Sequence, residues 1–180
     1  MNTYRLASQL VNHLFNYSVA HSGAHSVEHL VTGLSESDQN QIKEIFLNAS
    51  LRQENPSLFN WLDLKNIEAE LHQGYFYLYM NSDSKINAFI DFRQTEFEVE
   101  IIALATAPDL VRQNFMFNLL TQFLLFCGKN NQTVFLEVHE LNIQALQIYK
   151  KCGFTTIRTR ENYYNDGRSA HVMQYKADCL

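Results

Sequence analysis

The chain has 180 residues, of which 46% are hydrophobic, 13% aromatic and 18% charged, and its formal net charge at pH 7 is -5. This length and apolar content predict one domain with a well-filled core, and the negative charge disfavours direct binding to nucleic acid. No apolar run approaches the roughly 18 residues of a membrane span, and the first residues lack the pattern of a signal peptide. We therefore expect a cytoplasmic protein that makes no membrane contact.

The cysteines and histidines of the sequence do not indicate a disulfide framework or a metal site. The three cysteines are Cys127, Cys152 and Cys179. Their odd number and the lack of C-x-x-C spacing predict reduced thiols. His21, His25 and His29 have the spacing of metal ligands on one helix face. Gly23 interrupts the helical pattern there and no fourth ligand is evident, so we expect solvated side chains and no bound metal.

The first 25 residues are predicted to form a helical extension in front of the main domain, which spans residues 26–180. Leu6, Leu10 and Leu14 recur at helical spacing and give this extension an apolar stripe. We expect the stripe to pack on the domain behind it. A contact with a second copy of the chain, which would make a homodimer, or with another partner is the alternative.

One strand and two helices open the main domain. The stretch "SVEHLVTG" predicts a strand, and Ser35 begins a capping-box arrangement that is typical of a helix start. Apolar residues between Ile42 and Ala49 then line one face of this first helix. A second helix ends near Gly74, a typical C-terminal cap, and has four large apolar residues on one side. These residues are Trp61, Leu64, Ile67 and Leu71.

The remaining elements are mostly strands. The stretches "YFYLYM", "KINAFIDF" and "EFEVEIIALAT" predict three antiparallel strands. A helix is predicted from Asp109 to about Gly128, followed by the strand "QTVFLEV" and a helix over residues 143–151. The stretches "FTTIRTR" and "SAHVMQYK" predict a final strand pair joined by a turn at Asp166-Gly167.

This order of elements, with the pattern N-x-x-A-x-x-x-Y-x-K-x-G-F from Asn142 to Phe154, resembles the GNAT superfamily of acyl-CoA-dependent N-acetyltransferases. The resemblance covers roughly residues 26–176 and is closer to the ribosomal-protein-alanine (RimI-like) N-acetyltransferases. The features that match this branch are "LEV-x-x-x-N", the helix with Tyr149, Tyr163-Tyr164 and the stretch "AHVM". The resemblance implies an α/β (α+β) fold with a mixed, mostly antiparallel sheet that is splayed between its fourth and fifth strands, and helices on both faces.

The resemblance also implies acetyl-CoA as cosubstrate, lying between the two splayed strands. Backbone groups of Leu104, Ala105 and Thr106 would bind the pantetheine arm and polarise the thioester carbonyl. Asn142 would either cap the next helix with its side chain or bind the same arm. Backbone amides at the start of the long helix would hold the pyrophosphate. The residues of this pyrophosphate segment are Arg112, Gln113, Asn114, Phe115 and Met116.

Glu137 and Tyr149 are the catalytic residues that the resemblance implies. Glu137 would remove a proton from the acceptor amine, directly or through water, and Glu100 on the preceding strand is the rival base. Tyr149 would donate a proton to the departing thiolate. Tyr163 and Tyr164 would flank the slot for a peptide acceptor. The alternatives are an ion pair for Glu137 and ordinary packing for the three tyrosines.

The acceptor amine follows from the resemblance and from acid–base chemistry. An α-amino group titrates near ~7.8 and is about a tenth neutral at pH 7, whereas a lysine amine titrates near ~10.4. A single carboxylate–water relay therefore suffices for a terminal amine. The resemblance implies the N-terminus of a protein or peptide, such as a ribosomal protein, with a small first residue.

The pyrophosphate segment departs from the family pattern Arg/Gln-x-x-Gly-x-Gly/Ala. Val111 replaces the first polar residue, and Asn114 and Met116 stand where glycines are expected. Side chains therefore occupy a place where the ligand approaches the backbone closely. His139 also replaces the arginine often found two residues after the glutamate.

Two interpretations follow from these departures. The chain is either an acetyltransferase with an altered phosphate loop or a GNAT-fold binding or scaffold protein that no longer binds acyl-CoA. The joint presence of Glu137, Asn142 and Tyr149 favours the enzyme, because a scaffold has no need of a base, an arm contact and an acid beside one gap.

Overall fold

The computed structural model describes residues 19–20, 26–31, 33–51, 67, 71, 75–81, 83–111 and 114–177. The strands within these residues are β1 (Val19–Ala20), β2 (Ser26–Val31), β3 (Tyr75–Asn81), β4 (Ile86–Gln94), β5 (Glu98–Thr106), β6 (Thr133–His139), β7 (Thr155–Arg160) and β8 (Ala170–Tyr175). The α-helices are α1 (Glu36–Leu51), α2 (Phe115–Lys129) and α3 (Ile143–Lys151). No helix in this part of the chain is both long and apolar enough to cross a membrane.

The described strands form one sheet in the order β1-β2-β3-β4-β5-β6-β8-β7. Neighbouring strands are antiparallel except β5 and β6, which are parallel because α2 connects them on one face of the sheet. This confirms the predicted mixed, mostly antiparallel sheet. The predicted fourth and fifth strands are β5 and β6, since the two-residue strand β1 comes before them.

Helices cover both faces of the sheet, as predicted. The helices α2 and α3 lie over one core, which contains Phe92, Phe123 and Leu136. The helix α1 lies over a second core on the opposite face, which contains Ile42, Phe46 and Phe89. Burial of these large side chains on both faces supplies the main stabilisation of the fold, roughly 1.5–3 kcal/mol for each side chain.

The helix predicted from Asp109 begins later than expected. A 3-10 turn occupies Pro108–Leu110, and α2 starts only at Phe115, after Asn114 in the left-handed conformation with φ of 60°. This left-handed residue interrupts the helical backbone, although the apolar spacing around it looks continuous. The prediction of one helix from Asp109 to Gly128 was therefore wrong at its start.

Several predicted elements lie partly or wholly outside the described residues. The extension helix with Leu6, Leu10 and Leu14 is outside them, and so are Trp61 and Leu64 of the second predicted helix. Two further residues of that helix, Ile67 and Leu71, are helical and buried. His21 and His25 are not described, but His29 lies in β2, so the three histidines do not share one helix face.

The strands β5 and β6 separate after a short parallel ladder. Their pairing runs from Glu98 opposite Thr133 to Ile101 opposite Leu136 and ends there, although both strands continue. On its other side, β5 has one extra residue at Ile102, where its register with β4 shifts. A β-bulge bends the strand that contains it, so the bulge turns β5 away from β6 at the end of their ladder. The result is the predicted splayed gap.

Candidate active site

Glu100 and Glu137 lie on the same face of the sheet, opposite to α2 and α3. The residues beside them in β5 and β6 are buried in the core beneath these helices, and alternation turns both glutamates the other way. Those buried neighbours are Val99, Ile101, Leu136 and Val138. Glu100 is paired within the ladder, opposite Phe135, whereas Glu137 comes directly after the last pair. Glu137 is therefore the carboxylate at the edge of the gap.

Two neighbours lie beside the carboxylate of Glu137. Arg160 Nη1 lies 2.8 Å from Glu137 Oε1, with the glutamate side chain 24% exposed and the arginine side chain 42% exposed. The side chain of Tyr163 lines the same cavity as this carboxylate, and the Arg160 guanidinium lies 5.2 Å from the centroid of the Tyr163 ring. Partial burial, followed by the interaction with Glu137, raises the pKa of Tyr163. Tyr163 therefore stays protonated beside Glu137.

A cavity of about 140 Å³ opens beside these residues. Its lining residues are Arg93, Glu100, Ile101, Ile102, Glu137, Tyr163 and Tyr164. A shallower depression adjoins it along β5 and β6, and its lining also includes Glu98 and Arg160. The two glutamate candidates and the two tyrosines that were predicted to flank the acceptor thus line one cavity. The two carboxylates suit a cationic amine.

Tyr164 connects this cavity to the buried end of β6. Its ring is buried and lies 4.5 Å from the ring of His139, and it meets the ring of Tyr163 edge-on at 5.2 Å. Burial raises the pKa of Tyr164, and the negative charge of Glu137 contributes in the same direction. Tyr164 is therefore a protonated, immobilised wall of the cavity rather than a titrating group.

Tyr149 lies on the other face of the sheet, buried in the core beneath α2 and α3. Two backbone bonds past the end of α3 fix its position: Phe154 N–H donates to Tyr149 O at 3.0 Å, and Gly153 N–H donates to Lys150 O at 3.0 Å. Gly153 has φ of 92°, and the rings of Tyr149 and Phe154 lie 5.8 Å apart, as in a Schellman motif. The helix end therefore sets the direction of the Tyr149 side chain.

The acidity of Tyr149 is reduced by its surroundings. Burial raises its pKa above the ordinary 10.0, and electrostatic effects of Tyr164 and Cys152 add to the increase. Tyr149 is not among the residues that line the cavity around Glu137. The predicted acid and the predicted base thus lie on opposite faces of the sheet, on the two sides of the gap.

The predicted pantetheine contacts lie where the gap begins. Leu104, Ala105 and Thr106 come after the last β5–β6 pair and are paired only with β4 on the other side. Asn142 caps α3, since its Oδ1 accepts a hydrogen bond from Ala145 N–H at 3.2 Å. Capping was one of the two expected roles of Asn142, and its contact with the arm remains a prediction.

The start of α2 suits an anion in spite of its altered sequence. The first helical bond is donated by Asn118 N–H to Asn114 O, so the amides at the start of the helix are not used within it. Phe115 packs edge-on against Tyr79, and Met116 packs against the core beneath α2 and α3. The side chain of Met116 is thus held by the core. Arg112 and Gln113 lie outside the described residues.

Sequence reasoning missed one charged residue of the site and undervalued two others. Arg160 was seen only as part of a strand, and its position on the face of Glu137 depends on a register that no motif indicates. His139 was noted only as a departure from the family pattern, and Asp166 only as a turn residue. The structure brings His139 Nε2 and Asp166 Oδ2 within 3.2 Å, directly beside Tyr164.

Comparisons with known proteins agree on one protein family. Residues 39–154 match the model of the acetyltransferase (GNAT) family. A 44-residue stretch is 41% identical to an N-alpha-acetyltransferase of Sulfurisphaera tokodaii, and it covers 24% of this chain and 26% of that protein. The match thus spans about a quarter of the curated relative.

Two solved structures share the fold. The ribosomal-protein-S18-alanine N-acetyltransferase from Escherichia coli has a TM-score of 0.66 at 22% identity, over 85% of this chain and 96% of that one. Ard1 from Thermoplasma volcanium has a TM-score of 0.63 at 23% identity, over 84% of this chain and 99% of that one. These similarities establish a common architecture over most of each chain.

Proposed function

The chain belongs to the acetyltransferase (GNAT) family, and from this premise we propose that it transfers the acetyl group of acetyl-CoA to the N-terminal α-amine of a protein or peptide. The names of two similar proteins support this acceptor class, since one is an N-alpha-acetyltransferase and the other acts on an alanine of ribosomal protein S18. A ribosomal protein is accordingly the first natural acceptor to test.

The observation that carries the proposal is the position of Glu137. It is the first residue of β6 beyond the paired ladder, and it shares one cavity with Tyr163 and Tyr164. An amine that enters between the two tyrosines would reach the carboxylate at the edge of the gap. There Glu137 would accept a proton from the amine, directly or through one water.

The other roles follow from positions around the gap. Acetyl-CoA, the cosubstrate of the family, supplies the acetyl group as an activated thioester. Backbone groups of Leu104 to Thr106 would hold its arm, and the amides at the start of α2 would hold its phosphates. Tyr149, whose raised pKa keeps the phenol protonated, would donate a proton to the sulfur as it departs.

The pairing of Glu137 with Arg160 suits a weakly basic amine. A carboxylate already paired with a guanidinium has fewer lone pairs left for an incoming proton. An α-amine needs little help, because about a tenth of it is neutral at pH 7, whereas a lysine amine is almost wholly charged. This favours a peptide N-terminus over a lysine side chain.

Two matched peptides test the proposal. Both have one sequence with a small first residue; one has a free N-terminus and an acetylated lysine, and the other a blocked N-terminus and a free lysine. We expect acetyl transfer from acetyl-CoA to the first peptide at least about tenfold faster. Faster transfer to the lysine peptide, or transfer to neither peptide, would contradict the assignment of the acceptor.

A binding protein without acyl transfer is the second candidate. It is favoured by one observation, the presence of Asn114 and Met116 in the helix start where the family pattern has glycines. Binding of acetyl-CoA separates the two candidates, because the scaffold interpretation requires that the gap and helix start no longer take this ligand.

A further inference from the structure

We propose that His139 and Asp166 are positioning residues that hold Tyr163 and Tyr164 in place for the acceptor. The inference rests on the proposed function, because it assigns a role within the same acceptor site. Neither residue lines the cavity around Glu137. Their effect would act through the two tyrosines, so they are not catalytic residues.

The hydrogen bonds of His139 define its donor and its acceptor. His139 lies two residues beyond Glu137 on the same face of β6, and it is only 2% exposed. Its Nδ1 accepts a hydrogen bond from Leu141 N–H at 3.1 Å, so this nitrogen carries no hydrogen. Nε2 is left as the donor, and it lies 3.2 Å from Asp166 Oδ2. The ring thus joins β6 to the β7–β8 turn.

Asp166 uses its second oxygen to shape that turn. Its Oδ1 accepts a hydrogen bond from Arg168 N–H at 3.1 Å, and Gly167 between them has φ of 77°. Tyr164 closes the turn with two backbone bonds, donating to Arg168 O at 3.0 Å and accepting from Gly167 N–H at 2.9 Å. One carboxylate therefore ties the turn that carries the tyrosines to a buried histidine.

Ring contacts continue this connection to the base. The rings of His139 and Tyr164 lie 4.5 Å apart, and Tyr164 meets Tyr163 at 5.2 Å with an angle of 86° between the ring planes. Tyr163 and Glu137 then line one cavity, and this carboxylate contributes to the raised pKa of Tyr163. Loss of the His139–Asp166 bond would leave the turn free to shift and would move both tyrosines relative to Glu137.

A separate pair of bonds holds the base of the hairpin. Glu140 N–H donates to Ser169 O at 3.0 Å, and Glu140 Oε1 accepts from Ser169 N–H at 3.1 Å. These contacts do not involve His139 or Asp166. Variants at His139 should therefore fold and differ mainly at the tip of the hairpin.

Two substitutions at one position separate the bonds of His139. In His139→Asn the side-chain oxygen can still accept from Leu141 N–H, as in an Asx-turn, but the side chain is too short for Asp166. In His139→Gln the longer amide can still donate to Asp166 while the contact to Leu141 is lost. His171→Asn is the matched control, since His171 lies on β8, contacts Thr159 at 3.2 Å and faces away from Glu137.

The steady-state experiment uses the full chain with the N-terminal peptide and acetyl-CoA. We expect His139→Asn to raise the KM of the peptide about tenfold, the effect of losing roughly one charge-assisted hydrogen bond. The kcat and the KM of acetyl-CoA should stay within about twofold. In His139→Gln the KM of the peptide should return most of the way to the wild-type value. The kinetic parameters of His171→Asn should match those of the wild type. Equal effects of the two His139 variants, or an equal rise in the KM of acetyl-CoA, would overturn the proposal.

Amide hydrogen exchange gives a readout that needs no activity. The amides of Tyr164 and Gly167 should exchange faster in His139→Asn than in wild type or His139→Gln, while β6 stays protected. Unchanged exchange at these two amides in His139→Asn would also overturn the proposal. If the wild-type chain acetylates no peptide, the proposed function fails instead, and the exchange data alone decide whether His139 holds the turn.

Discussion

Glu137 is the residue at the gap whose side chain is proposed to act as the general base. Glu137→Gln keeps the shape of the side chain but removes the basic oxygen and the charge that pairs with Arg160. We expect kcat to fall by about 10² or more, the usual contribution of a general base, with little change in acetyl-CoA affinity. Initial rates with saturating peptide, together with calorimetric titration of acetyl-CoA, measure the two effects.

Glu100→Gln is the matched control for this prediction. Glu100 lines the same cavity on the same face but lies inside the β5–β6 ladder, one residue before its end. Its substitution should change kcat by no more than a few-fold. If Glu100→Gln is inactive and Glu137→Gln keeps the wild-type kcat, the general base is Glu100 on β5.

The phenol of Tyr149 is predicted to act as a weak acid. Tyr149→Phe should lower kcat by about tenfold to a hundredfold, because a phenol above its ordinary pKa gives up its proton reluctantly to a thiolate near ~8.5. The raised pKa means that Tyr149 stays protonated through and above pH 10.0. The kcat of the wild type should therefore not fall between about pH 8 and pH 10 through this residue. An alkaline decline in that range which disappears in Tyr149→Phe would rule out this account of Tyr149.

The sequence allowed prediction of site residues that belong to a motif. It did not allow prediction of residues whose position in the site depends on the register between strands. The candidates Glu137, Asn142 and Tyr149 came from the resemblance to the family motif, and the structure places Glu137 on β6 and the other two at the start and in the last turn of α3. Arg160 belongs to no such motif, and its face depends on a bulge between Thr156 and Arg158, where β7 has one extra residue against β8. Without that residue Arg160 would point to the opposite face of the sheet, since a shift of one position exchanges the two faces of a strand.

At the scale of elements, the start of α2 is where the sequence departs most from the family pattern. Asn114→Asp keeps the size of the side chain and places a negative charge beside the amides of the helix start. We expect folding stability to rise by about 0.3–1 kcal/mol through the helix dipole, while acetyl-CoA affinity falls about tenfold through repulsion of the phosphates. Urea unfolding and calorimetry on one preparation measure both quantities.

The neutral variant Asn114→Gly is the control for this experiment. Glycine adopts the left-handed conformation of residue 114 without strain, so acetyl-CoA affinity should stay equal or rise a few-fold. Met116→Gly is a poor test by comparison, because Met116 packs on the core and a helical glycine costs about 1 kcal/mol. Equal acetyl-CoA affinity of the Asp and Gly variants would show that the phosphates do not bind at this helix start.

The end of α3 has a comparable requirement at Gly153. A Cβ at this position would lie 3.4 Å from the ring of Tyr175, and the backbone φ of 92° is unfavourable for most residues. Gly153→Ala should lower the free energy of unfolding by about 1–2 kcal/mol, and Gly153→Asn by clearly less, since asparagine tolerates left-handed backbone. Both variants add the same Cβ, so their difference in urea unfolding isolates the backbone. Equal losses would mean that the contact with Tyr175 determines the cost.

Elements were predicted well where their apolar period is regular. All strands from β2 onward and the helices α1 and α3 agree with the sequence patterns. Regular burial accounts for the agreement in β4 and β6, whereas every residue of β7 is exposed, so β7 was predicted from its strand-forming residues and not from a buried face. The start of α2 was misplaced because Val111 and Phe115, four residues apart, fit a helical period, whereas Asn114 between them is left-handed. Hydrophobic spacing indicates which side chains are buried, but it does not reveal a single residue with positive φ.

For the whole molecule, buried acids predict loss of stability at alkaline pH. Burial raises the pKa of Cys127 from 9.0 to about 12, and it raises the pKa values of Tyr149 and Tyr164 above 10.0. The folded state thus binds these protons more tightly than the unfolded state, so the contribution is complete below about pH 9 and is lost as the pH rises. Tm should accordingly decline above about pH 9.

Cys127→Ala checks the origin of that decline. The variant lowers Tm at every pH because it leaves a small cavity, but it should flatten the part of the curve that begins near pH 9. The part that begins near pH 10, which comes from the tyrosines, should remain. A curve parallel to that of the wild type from pH 8 to about pH 11 would contradict the role of Cys127.

The central claim is that the gap between β5 and β6, with the altered start of α2, still binds acetyl-CoA for transfer to an α-amine. Calorimetric titration of the full chain with acetyl-CoA tests this claim most directly. We predict one site per chain with a Kd of about micromolar strength, weakened at high salt because the phosphates contribute charge. No measurable binding by the folded wild-type chain would contradict the claim, and the roles assigned to Glu137 and Tyr149 would then be withdrawn.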